Sequence, residues 1–128
     1  MKRIIIDLDG TLTFDELGVG YAQKRPRTDV VNKLRLYKSM GYEIVINTAR
    51  NMRTYGGAVG KINVHTLPTI LEWLKEHEVP FDEVIVAKPW CGTEGFYVDD
   101  RSIRPDEFAA MSTEEIANLV TRGVADER

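Results

Sequence analysis

Ile4-Ile5-Ile6-Asp7-Leu8-Asp9-Gly10-Thr11 is the stretch on which the reading of this chain turns. Three consecutive β-branched apolar residues predict a strand that is apolar on both faces, as in a parallel sheet covered by helices. Two carboxylates follow at i and i+2, and a glycine then lets the backbone turn sharply. Acids this close repel each other unless a cation or proton lies between them. They suit a hard, oxygen-loving ion such as Mg2+. Taken alone, Asp7 and Asp9 serve equally well as turn residues closing a strand.

Working outward, the same kind of run recurs at Glu43–Asn47, at 83–87 and at 95–98, giving four expected strands with Arg3–Ile6. Helix-period segments separate them. In 29–40, Val30, Leu34 and Tyr37 share a face, Thr28 offers an N-cap and Gly41 a stop. In 67–77, Leu67, Ile70, Leu71 and Leu74 follow the helical pattern, with Pro68 at the start and Pro80 beyond the end. A last helix over Thr113–Thr121 opens with Ser112 and Glu115 in capping-box spacing. Strand–helix alternation of this kind predicts an α/β fold: a Rossmann-like open parallel sheet flanked by helices. Two irregular segments, 11–27 and 49–65, each follow a strand, which places them at the carboxyl edge where such sheets bind ligands.

The 128 residues predict one domain over 1–124 with a frayed tail at 125–128. Apolar residues make up 43% and charged residues 29%, which excludes disorder and collagen-like repeats. The longest apolar runs fall far short of the roughly 18 residues of a membrane span, so no membrane partner is expected. Net charge is −3, against the positive balance of a protein that binds nucleic-acid backbones, so no nucleic-acid partner is expected either. A single cysteine and the absence of a secretory leader point to the cytoplasm.

Each expected strand ends in a residue able to do chemistry. Asp7 and Asp9 close the first, Thr48 the second, Lys88 the third, and Asp99-Asp100 the fourth. Singly, Thr48 reads as a turn hydroxyl, Lys88 as a solvated cation and Asp99-Asp100 as an Asx turn; together at one sheet edge they read as a site. The 49–65 segment adds Arg50, Arg53 and Lys61 among glycines, a basic loop suited to an anionic substrate. Gly60-Lys61 is no phosphate-binding Walker loop, because Ile62 stands where Ser or Thr is required. Nor is the first motif an EF-hand, since Gly18 takes the place of the twelfth-position Glu. His65 and His77 lie too far apart for a local metal site, and Cys91 reads as an inert thiol.

Asp7-Leu8-Asp9-Gly10-Thr11 resembles the DxDGT signature of the haloacid dehalogenase superfamily, and Thr48, Lys88 and Asp99-Asp100 resemble its three later motifs in order. More narrowly, the 47–55 and 59–63 segments, Lys88-Pro89-Trp90-Cys91-Gly92 and Asp99-Asp100-Arg101 look like a small bacterial group linked to capsular polysaccharide biosynthesis. The resemblance implies a phosphomonoester hydrolase acting on a small phosphorylated substrate such as a sugar phosphate. In that scheme Asp7 is the nucleophile, Asp9 the general acid and base, and Thr48 and Lys88 hold the phosphoryl oxygens. Gly10, Thr11, Ala49, Arg50, Arg53 and Lys61 surround the substrate. Mg2+ is held by the Asp7 carboxylate, the Asp9 backbone carbonyl and Asp99, with Asp100 bound directly or through water. Asp9 is expected to carry a raised pKa, pushed up by its like-charged neighbour. Neither irregular segment is long enough for a separate cap domain, so a homo-oligomer, dimer or tetramer, is expected to shield the site. A phosphotransferase or phosphomutase sharing the first half-reaction, or a non-catalytic phosphate-binding module, are the alternatives.

Overall fold

The computed structural model describes residues 1–123, so the tail at 125–128 lies outside the described residues. By its contacts the chain divides into two compact units, Met1–Trp90 and Cys91–Arg128. The first is an α/β unit built on a three-stranded parallel sheet in the order β1-β2-β3. Its strands are β1 (Arg3–Ile6), β2 (Glu43–Asn47) and β3 (Glu83–Ile85). Ile4 sits opposite Ile44 and Ile6 opposite Ile46, while Val45 and Asn47 face Glu83 and Ile85.

Strand β2 matches the two-sided apolar expectation, with Ile44, Val45 and Ile46 all essentially inaccessible. The outer strands match it less well, since Ile5 and Ile85 are exposed. An outer strand has a neighbour on one side only, so part of its apolar run is left without cover. Charge replaces burial at the outer end, where Arg3 pairs with Glu43 at 3.2 Å across the β1–β2 ladder.

Helix α1 (Thr28–Ser39) buries Val30, Val31, Leu34 and Tyr37, the face its period predicts. Its N-cap position is Arg27 rather than Thr28, and Gly41 takes φ 92° just after its end. Helix α3 (Leu67–Glu76) buries Ile70, Trp73 and Leu74 and carries Pro in its first turn. Between β2 and α3, the expected irregular segment 49–65 contains a short helix, α2 (Val59–His65), with Ile62 as its one buried residue. Glycines at 56, 57 and 60 mask that turn in the sequence, but Ala58 starts it by accepting from both Lys61 and Ile62.

The second unit holds α4 (Pro105–Ala110) and α5 (Thr113–Thr121). The capping box of α5 forms as expected, with Ser112 Oγ accepting from the Glu115 N–H and Glu115 Oε1 accepting from the Ser112 N–H. Helix α4, absent from the expectation, starts on Pro105 and buries Phe108. The expected fourth strand at 95–98 is not a strand: no ladder includes it, and Phe96, Tyr97 and Val98 are exposed. Gly95 folds back against the Cys91 carbonyl so closely that a Cβ there would collide with it. That tight turn uses up the residues an extended strand would need. Among the described residues no helix is long and apolar enough to cross a membrane.

Candidate active site

The site grows from the end of β1. The Leu8 carbonyl accepts from the N–H groups of Thr11, Leu12 and Thr13, winding the chain into a tight turn directly after the strand. Gly10 takes φ 78° within it, and a Cβ there would press on Asp15 Oδ2 at 3.3 Å, so the position favours glycine twice over. Leu8 and Leu12 are buried and anchor the turn from below. Asp7 and Asp9, flanking Leu8, are thereby held half-buried above the core.

The 11–27 segment is an ordered flap rather than a free loop. Thr13 bridges Pro26 in antiparallel fashion, Phe14 donates to the Arg25 carbonyl and Arg27 donates to the Leu12 carbonyl. At its far end a 3-10 turn over Tyr21–Gln23 leads into Lys24, whose carbonyl accepts from the indole of buried Trp73 on α3 at 2.8 Å. This fixes the Lys24 side chain under the site. Its Nζ lies 2.9 Å from Asp9 Oδ1 and 2.7 Å from Asp15 Oδ1.

Arg50, just beyond β2, completes the cluster. Its side chain is 1% exposed, and it donates twice to Asp9, Nε to Oδ2 at 3.0 Å and Nη2 to Oδ1 at 2.8 Å. The guanidinium stands 4.2 Å from the Tyr21 ring centroid, and its third nitrogen, Nη1, is buried without a hydrogen-bond partner. Asp9 is therefore bound by two cations. Burial pushes its carboxyl up, but Arg50 and then Lys24 outweigh that and hold it below the ordinary range. The expectation of a raised Asp9 is corrected, because two cations from distant parts of the chain outweigh one neighbouring acid. Arg50, expected to touch substrate, holds Asp9 in this structure.

Asp7 is the raised carboxyl of the pair. Burial pushes it up, while Lys88 at 3.7 Å, the Leu8 backbone and the Thr11 hydroxyl at 3.2 Å offset part of that. Lys88 is carried to Asp7 by the end of β3, where its N–H donates to the Thr48 carbonyl and Thr48 donates to Ile85. Ala87, immediately before it, is held at φ 65°, a left-handed conformation that an alanine adopts at a cost. Thr48 is buried and its Oγ1 accepts from the Arg50 N–H, shaping the turn that aims the guanidinium.

The first unit thus gathers Asp7, Asp9, Gly10, Thr11, Thr48, Arg50 and Lys88 from three strand ends, and adds Lys24 and Asp15, which the sequence reading left unnamed. Ala49 is half-buried beside Thr48. Arg53 and Lys61 are exposed, and no hydrogen bond or ion pair joins them to the cluster. Asp99 and Asp100 belong to the second unit, where both are exposed and Asp99 Oδ1 accepts from the Arg101 N–H in an Asx turn.

A hard divalent ion asks for several oxygen ligands. Asp7, a desolvated carboxylate only partly balanced by Lys88, has the chemistry of one such ligand, whereas the Asp9 carboxylate is taken up by Arg50 and Lys24. Among the described residues no three His, Cys, Asp or Glu side chains are grouped to hold a metal. The first unit's side chains alone fall short of a magnesium cage.

A crystal structure of a Vibrio cholerae protein matches this chain with a TM-score of 0.91 and 60% identity, covering 94% of this chain and 97% of that one. A chain in the structure of a Pnkp1/Rnl/Hen1 complex matches with a TM-score of 0.53 and 17% identity, covering 95% of this chain and 42% of that one. The second likeness speaks to the fold alone. No family model and no curated protein matches the sequence.

Proposed function

The chain belongs to the same protein family as that Vibrio cholerae protein, and we propose that it is a Mg2+-dependent phosphomonoester hydrolase with a haloacid dehalogenase-type core, working through an aspartyl-phosphate. One observation carries the reading: Asp7, desolvated at a strand end, faces an ammonium and a hydroxyl and has no guanidinium tying it down. Such a carboxylate keeps an oxygen lone pair available for attack on phosphorus.

In the first step an Asp7 oxygen bonds to phosphorus, the bond from phosphorus to the ester oxygen breaks, and the leaving oxygen takes its electron pair with a proton from Asp9. Lys88 offsets the charge spread over the phosphoryl oxygens. In the second step Asp9 accepts a proton from water, the water oxygen attacks phosphorus, and inorganic phosphate leaves with Asp7 regenerated. As held by Arg50 and Lys24, Asp9 rests in the carboxylate form that the second step requires. The first step requires one of those cations to turn toward the incoming phosphate so that Asp9 can carry a proton. Mg2+, which the motif resemblance implies and for which Asp7 is a suited ligand, would supply countercharge to the phosphoryl group.

The test is phosphate release from a panel of phosphorylated sugars, nucleotides and simple esters with Mg2+ and with chelator, Asp7→Asn serving as blank. Release that depends on Mg2+ and disappears in the variant is expected. Equal release by parent and variant overturns the reading.

A further inference from the structure

A cavity of about 460 Å3 opens beside Asp9 on the flap side, lined by Asp15, Glu16, Leu17, Tyr21 and Lys24 together with Asp9 itself. Resting on the hydrolase reading, we propose that this cavity receives the leaving group of the phosphomonoester and that Asp15 and Glu16 select uncharged, hydroxyl-bearing leaving groups over those with a second negative charge.

Placement comes first. In the proposed reaction Asp9 hands a proton to the leaving oxygen, so the group attached to that oxygen has to lie next to Asp9, and the cavity begins there. The lining then sets the chemistry. Its cation, Lys24, is engaged by Asp9 and Asp15, so carboxylate oxygens form much of the wall beside Tyr21. Asp15 keeps 62% of its side chain exposed and Glu16 keeps 37%, the latter accepting from Arg25 through both oxygens, at 2.9 and 3.2 Å, on the exposed outer surface. Carboxylates of this kind accept hydrogen bonds from hydroxyls. A carboxylate or second phosphate on the substrate meets like charge instead, and rejection of the wrong ligand is half of specificity. Leu17, fully exposed, adds an apolar lip against which carbon–hydrogen faces can lie. Apart from Asp9, none of these residues belongs to the motifs from which the reaction type was read.

Glycerol 3-phosphate and 3-phosphoglycerate test this directly, because they share a three-carbon skeleton and differ in a hydroxymethyl against a carboxylate. The parent is expected to favour glycerol 3-phosphate in kcat/KM by roughly tenfold, equivalent to about 1.4 kcal/mol. Glu16→Gln removes one wall charge, and Leu17→Lys adds a cation at a position whose side chain packs on nothing. Each is expected to shrink that preference several-fold, with p-nitrophenyl phosphate as a reference ester whose organic group carries no charge. Equal use of the two esters by the parent, or a preference unchanged in both variants, overturns the cavity assignment while hydrolysis of p-nitrophenyl phosphate leaves the hydrolase reading standing. Failure of the parent to release phosphate from any of the three with Mg2+ overturns both.

Discussion

Replacing Arg50 by Met removes the main support of Asp9 while keeping most of the buried volume. The guanidinium is almost wholly inaccessible and makes two hydrogen bonds of 3.0 and 2.8 Å to one carboxylate. Removing one partner of a buried ion pair costs about 3–5 kcal/mol, because the other charge stays behind without compensation. Here Asp9 is 23% exposed and keeps Lys24 at 2.9 Å, which places the expected loss at the lower end, about 3 kcal/mol. For a chain of this size that corresponds to a fall in Tm of roughly 10 °C. Urea unfolding at pH 7, run as a cycle with Asp9→Asn and the double variant, measures both the loss and the coupling between the two residues. The pH dependence has a defined direction. Because Asp9 is held below its unfolded-state pKa, its contribution is fully present above about pH 4 and disappears as pH falls through the folded value. The gap between parent and Arg50→Met is therefore widest at neutral pH and closes in acid. A loss under about 1 kcal/mol at pH 7, or a gap that widens in acid, refutes the claim that the pair supports the fold.

The frame of the first unit was legible because local patterns settle it. Ile4-Ile5-Ile6 and Ile44-Val45-Ile46 pair in register as strands, and the 3.6-residue spacing of Val30, Leu34 and Tyr37 identifies the buried face of α1. A strand also needs an available neighbour, which no run of residues reveals by itself. The 95–98 stretch has the same apolar character, yet among the described residues it joins no strand ladder and follows the tight Cys91–Gly95 turn. At the candidate site, the identities of Asp7 and Asp9 were visible but their charge balance was not. Arg50 reaches Asp9 across 41 positions of sequence and Lys24 across 15, from segments with no periodicity to mark them. The one available hint was Gly10, whose missing side chain makes room for Asp15 and so for the lysine that Asp15 shares with Asp9. Two aspartates that look alike in the sequence are driven in opposite directions by the fold, one by burial and one by cations.

Trp73→Phe keeps the ring packing but leaves the Lys24 carbonyl without its indole donor; a loss of about 1–2 kcal/mol in urea unfolding is expected, with faster proteolysis of the 14–25 flap. Ala87→Gly relieves a left-handed alanine at the approach to Lys88 and is expected to raise stability by about 1 kcal/mol, whereas Ala87→Val lowers it; a stabilising valine contradicts the strain argument. Asp7→Asn is expected to abolish phosphate release and yet to melt higher than the parent at pH 7 in chelator. The reason lies in the direction of its shift: burial raises the Asp7 carboxyl, so ionisation in the folded state carries a cost that appears as pH rises past about 4. An asparagine of the same shape never ionises, so it escapes that cost, and the advantage fades as the medium becomes acidic enough to protonate the parent. Lys88 works against this outcome, since its 3.7 Å attraction to Asp7 is lost in the variant, but that distance is too long for a close charge-assisted hydrogen bond. A variant that melts lower than the parent at neutral pH would mean that Lys88 outweighs burial, and Asp7 would then be a structural ion-pair partner rather than a carboxylate kept free to react.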